Sequence, residues 1–170
     1  MEDVAAASGV GTSSLYAAYA NKLGLFLCVF RRYCEGRVSF VAEATAEPSA
    51  DLAVVAAQFL ERVVDECGSS PDRRGCLLLN TIVELGDRFP EVLEISTATT
   101  ERMEAVLAEK FLRTAAEQDL ALDATDARAH ADRTVLASQG LIQLSRLRVP
   151  RERLTALAAH SARASVWQGA

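Results

Sequence analysis

Four cysteines and two histidines are the residues of this chain best suited to chemistry, and their spacing argues against most of it. Cys28, Cys34, Cys67 and Cys76 form no CxxC pair, and His130 and His160 are too far apart to share a zinc-ligand motif with them. The cysteines read as reduced, mostly buried small hydrophobes, with Cys67 and Cys76 as the pair a redox role would use. Asp126 precedes His130 by one helical turn, half of a metal or catalytic pair with no second half, so both histidines read as solvated or interface groups. No GxSxG, GxxxxGK[ST], HExxH or GxGxxG occurs. The residues therefore point away from an enzyme, and to no metal and no cofactor.

The elements that must position anything else are helices. Hydrophobic residues make up 50% of the 170 and aromatics only 6%, which favours helix-on-helix packing in one compact unit. Alternating strand patterns and Asn-Gly or Asp-Gly turns are missing. Breaks at Gly9 to Gly11, Glu47-Pro48, Gly68 to Pro71, Phe89-Pro90, near Leu122-Asp123 and at Val149-Pro150 divide the chain into about eight helices, an all-α fold. One long helix is expected from Lys22 to about Ala46 and another from Glu91 to about Leu120. The segment "GCLLLNTIVELGDRF" is apolar nearly all round and is expected at the centre of the core. The last helix carries Leu154, Ala158, Ser161, Ala162 and Ser165 at helical spacing. That small-residue stripe, with similar material on the preceding helix, suits half of a four-helix bundle across a two-fold axis, with packing inside one chain as the alternative.

The net charge of −5 makes the whole chain a poor polyanion binder. Residues 1–37 differ, since four basic against three acidic side chains leave +1 and put −6 on the remainder. Within that first fifth, "SGVGTSSLYAAYANKLGLF" joins two very short amphipathic helices through Gly9, Val10 and Gly11. Gly9 ends the first in a left-handed conformation at little cost. Thr12, Ser13 and Ser14 open the second and can satisfy its free amides, Leu15 and Tyr19 face inward, and Tyr16 and Ala17 project outward. A second short helix after a tight turn is an arrangement that can enter a DNA major groove, and equally one that can cap a bundle as a helical hairpin.

At these residues the chain resembles the tetracycline-repressor-type (TetR) transcriptional regulators, whose pattern is "aGVs-x-x-x-LY-x-x-F-x-x-K-x-x-L". Gly9-Val10, Leu15-Tyr16, Tyr19, Lys22 and Leu25 fall on it, and "RRGCLLLNTIVEL", residues 73–85, resembles the sixth-helix segment of one subgroup. The resemblance implies a helix-turn-helix domain at residues 1–37 and a ligand-binding and dimerisation domain at 38–170. It implies that Thr12, Ser13, Ser14, Tyr16 and Ala17 face operator DNA and that Lys22 contacts a phosphate. Gly11 replaces the usual capping Ser, and the basic helix that precedes this pattern in the family is not found ahead of Met1. The expectation is therefore either a start further upstream or a weakened DNA module.

The same resemblance implies an inducer cavity among the helices of residues 50–145, a homodimer through the last two helices, and a repressor released by a small effector. The alternative is a dimeric ligand-binding protein that has lost DNA binding. Candidate lining groups are Phe59, Val63, Leu78, Thr81, Met103, Leu107 and Phe111, a set that favours a lipophilic effector, with Asn80 and Glu84 either as its polar members or, the stronger reading, as structural hydrogen-bonding or edge groups. No membrane partner is expected. Met1-Glu2-Asp3 does not open a signal peptide and no apolar run approaches the ~20 residues of a span, so the cytoplasm is the expected compartment.

Overall fold

The structure is a computed structural model that describes residues 1–69 and 72–166. Its elements are α1 (Glu2–Ser8), α2 (Thr12–Tyr19), α3 (Lys22–Ala44), α4 (Leu52–Ser69), α5 (Leu77–Leu85), α6 (Pro90–Glu117), α7 (Ala124–Arg146) and α8 (Arg151–Ser165). Eight helices and no strand among the described residues match the all-α expectation. Helix starts carry local signals: Asp123 Oδ1 accepts from the Asp126 amide at 2.8 Å, and Pro90 occupies the first turn of α6, where its missing N–H costs nothing.

The main core is built by α4, α7 and α8 with the second half of α6 and the end of α3, Val41 and Ala44. Along α4, Leu52, Val55, Ala56, Phe59, Leu60, Val63 and Val64 recur at three- and four-residue intervals, so a single stripe is buried. Against it lie Leu154, Ala158, Ala162 and Ser165 of α8. The small side chains let α8 sit close to α4 and α7, so this stripe is used within the monomer. The outward side of α7 keeps Leu136 at 68% exposure, and Leu147 just past its end at 74%.

A second, smaller core joins α3, α5 and the first half of α6 through Phe30, Cys34, Leu78, Val92 and Ile95. At 28 residues, α6 reaches about 42 Å and serves both cores. The expectation that α5 is central is corrected. It buries only Leu78 and Thr81, and Val83 is 83% exposed, because α5 rests on the side of α6 and α3 with one face to solvent.

The cysteines also depart from expectation. Only Cys34 is buried; Cys67 and Cys76 are half-buried and Cys28 is exposed. His130, expected at the surface, is buried beside Phe111, with the ring centroids 5.8 Å apart. Asp126 is exposed, and no group of three or more His, Cys, Asp or Glu could hold a metal among the described residues. No helix there is long and apolar enough to cross a membrane.

Candidate DNA-binding helix and ligand cavity

Gly9 ends α1 at φ 70°, ψ 8°, in the left-handed region, and its amide bonds to Ala5 O. Ser8 Oγ donates to Val4 O at 2.7 Å and accepts from the Val10 amide at 3.3 Å, which tightens the turn. Gly11 occupies the N-cap of α2 and gives no side-chain bond, so the first amides of α2 have no side-chain cap. Ser13, Ser14, Tyr16 and Ala17 are exposed, Thr12 is half-buried, and Lys22 is exposed at the start of α3. All six expected DNA-facing residues thus lie on or beside one short helix, with Leu15 as its buried anchor and Tyr19 half-buried. The thinness of the module is plain: α1 buries no residue, and Val4 and Val10 are about two-fifths exposed.

Two residues that fix α2 escaped the sequence reading. Asn21 Oδ1 caps α3 by accepting from the Gly24 amide at 2.9 Å. Gly24 passes so close to the end of α2 that a Cβ there would lie 2.2 Å from Tyr19 O. Asn immediately before the apolar run of α3 was a visible capping signal; the close approach at Gly24 was not, because it depends on the angle between α2 and α3.

The expected ligand set splits. Phe59, Val63, Leu78 and Met103 do line a common cavity between α4, α5, α6 and α7, but its volume is about 30 Å³, one water's share. Leu107 and Phe111 are wholly buried in the main core and do not reach it, and Thr81 is buried outside it. Glu84 is exposed. Asn80 acts as a strap: its Nδ2 donates to Arg74 O at 3.0 Å and its Oδ1 accepts from Arg146 Nη1 at 2.6 Å.

A larger cavity of about 310 Å³ adjoins the small one, sharing Arg37, Cys76 and Ile142. Its walls add Tyr33 of α3, Glu66 and Cys67 of α4, and Arg73 and Arg74 of the segment before α5. The walls are thus more polar than the predicted lipophilic set. Arg37 Nη1 meets Glu66 Oε1 at 2.6 Å, and its guanidinium stacks 4.3 Å above the Phe40 ring. Arg73, at φ 45°, donates to Val149 O at 3.1 Å, and Gly75, at φ 77°, leaves no room for a Cβ beside Arg146 Cδ. These contacts hold the segment before α5 onto the end of α7. The sequence signal was present in "RRGC", but only folding shows that it forms a wall.

An exposed short helix after a glycine turn, carried on a helical bundle with a lateral cavity, is the architecture of the helix-turn-helix class of regulators. The tetracyclin repressor-like C-terminal domain (TetR_C_13) matches residues 52–161, and the chain belongs to that family. It is 26% identical over 132 residues to YezE, an HTH-type transcriptional regulator of Bacillus subtilis (strain 168), covering 77% of this chain and 67% of the relative. Among solved structures it superposes on the TetR family transcriptional regulator CifR, a cysteine mutant complexed with 26-bp operator DNA. The TM-score is 0.79 and the identity 26%, over 96% of this chain and 85% of that one. A putative TetR transcriptional regulator from Rhodococcus sp. RHA1 is 30% identical, with a TM-score of 0.64 over 96% and 86% of the two chains. This is a TetR-type transcriptional regulator.

Proposed function

We propose that the protein is a ligand-responsive repressor in which α2 reads the major groove of its operator and a small effector in the α3–α4–α7 cavity releases it. The observation that carries this is the outward face of α2, with exposed hydroxyls at Ser13 and Ser14, the Tyr16 phenol and uncapped first-turn amides. Residues 1–37 form the DNA-binding domain and 38–170 the ligand-binding and dimerisation domain, with α3 shared between them. A homodimer formed through α7 and α8, using the outward Leu136 and Leu147, would set the spacing of two copies of α2 for two half-sites. Effector binding would then shift the population between two such spacings. The size and polarity of the larger cavity support an effector carrying polar groups, not a purely lipophilic one.

The test is fluorescence anisotropy on DNA from the gene's own upstream region at 50 and 200 mM salt. Specific binding that weakens steeply with salt and is lost in Tyr16→Ala is expected. A second reading, a dimeric ligand-binding protein without DNA affinity, is favoured by the sparse packing of α1 and the near-neutral charge of residues 1–37. No anisotropy change on that DNA even at 50 mM salt would make it the better one.

A further inference from the structure

The larger cavity inverts the charge of the chain around it. Arg37, Arg73 and Arg74 line it, and Glu66 is the one carboxylate among its described lining residues, an excess of +2 in a protein whose net charge is −5. The other titratable walls do not offset that excess. Burial, and then the neighbouring Cys76, hold the Tyr33 phenol above its ordinary range, and burial pushes the Cys67 thiol up, so both stay neutral at pH 7. Arg37 is the sheltered member of the three, its side chain 12% exposed against 81% for Arg74, and it alone of them also lines the smaller cavity. Among the described residues it engages only Nη1, on Glu66, while its plane rests on Phe40, so Nε and Nη2 keep donors to give. Glu66 is 47% exposed and can return to water when another carboxylate takes its place. Past Arg37, the smaller space offers Phe59, Val63, Leu78 and Met103.

We propose that the cavity binds a small carboxylate whose charged end lies on the Arg37 guanidinium and whose short apolar end points to Phe59, Val63, Leu78 and Met103. This inference names the chemical class of the effector and rests on the effector reading of the cavity. A planar carboxylate matches the guanidinium fork, which can give it two parallel N–H···O bonds. Arg73 and Arg74 contribute positive potential from fixed positions: Arg73 is held on Ser145 O and Val149 O, and Arg74 on Asp72, which does not line the cavity. An uncharged analogue of the same shape leaves Arg37 on Glu66 and gains the apolar contact alone. The volumes set the size: about 310 Å³ is the lower end for a ligand pocket, and about 30 Å³ beyond Arg37 has no room for a long chain. Arg37 belongs to α3 and Glu66 to α4, so a ligand that takes Arg37 from Glu66 unties the helix that starts at Lys22 from the main core.

The experiment is calorimetric titration of the full chain at pH 7 and fixed ionic strength with hexanoate, phenylacetate and their two amides. Each acid is expected to bind about tenfold or more tightly than its amide, the factor a charge-assisted bond carries, and Arg37→Gln should abolish that advantage. The acid–amide comparison in the native protein needs no variant to fold. Equal binding of acid and amide, no binding of either acid at millimolar concentration, or an acid affinity unchanged in Arg37→Gln overturns the proposal. DNA anisotropy with the same four compounds, against sodium chloride at equal ionic strength, separates the two readings. Release by the acids supports both. Acids that bind without changing DNA affinity remove the effector role and leave the carboxylate site standing, whereas release by an amide alone keeps the effector role and overturns the carboxylate.

Discussion

Replacing Gly24 with Ala tests the link between packing and DNA reading at its tightest point. A Cβ at position 24 would sit 2.2 Å from Tyr19 O and 3.3 Å from Tyr19 C, so reaching even 3.0 Å demands a movement of about 0.8 Å. The obstacle is backbone, at the end of α2, and cannot rotate away. In an open helix the same change would stabilise by about 1 kcal/mol, because Ala loses less chain entropy than Gly. Here overpacking costs about 1 to 3 kcal/mol, and the yielding part is α2, which has only Leu15 fully buried. The main core lies between α4, α6, α7 and α8 and takes from α3 only its far end, Val41 and Ala44, about 17 residues beyond Gly24. Gly24→Ala should therefore lower affinity for the upstream DNA by about 5- to 150-fold while the main thermal transition moves by no more than about 2 °C. Anisotropy titrations at fixed salt and a melting curve on the same sample measure both. Wild-type DNA affinity in the variant would refute the close-approach argument, and collapse of the whole melting transition would refute the separation of α2 from the main core.

Three further outcomes follow from other parts of the molecule. His130 accepts from Arg133 Nη2 at 2.6 Å, and burial, then Arg133, lower its basicity below the usual histidine value. The unfolded chain then binds the proton more readily than the folded one, so stability is full above about pH 6.5 and falls as the pH drops below it; urea midpoints from pH 7.5 to 5 should show this slope, and His130→Phe should flatten it. Phe59→Ala empties a wholly buried position in the main core and should cost about 3 to 5 kcal/mol by urea unfolding, whereas a cost under about 1 kcal/mol would mean the site collapses freely. Leu136→Glu, on a side chain 68% exposed in the monomer, should leave the helical spectrum intact and lower the mass seen by light scattering from dimer to monomer; an unchanged dimer would place the two-fold interface elsewhere.

The local pattern determined the most regular parts of this protein. Three- and four-residue spacing in α4, glycine at the end of α1 and the proline opening α6 set helix existence and boundaries through backbone preference and one-sided burial, which are properties of neighbouring residues. The same locality placed Thr12, Ser13, Ser14, Tyr16 and Lys22 on or beside one short helix before any tertiary contact was known. What only the tertiary structure decided depends on which faces meet. The apolar run in α5 carries no information about how many neighbours surround it, so its position at the side of α6 was not legible. The small-residue stripe of α8 suited an inner or an outer contact equally, and the closeness of α4 settled that it is consumed within the chain. The cavity likewise moved from Leu107 and Phe111, which pack solidly, to Arg37, Tyr33 and Cys76. Tyr33 and Arg37 lie on α3 and Cys76 just before α5, 39 residues beyond Arg37, and the strap of Arg73 and Asn80 onto the end of α7 and the residues after it brings that wall into place.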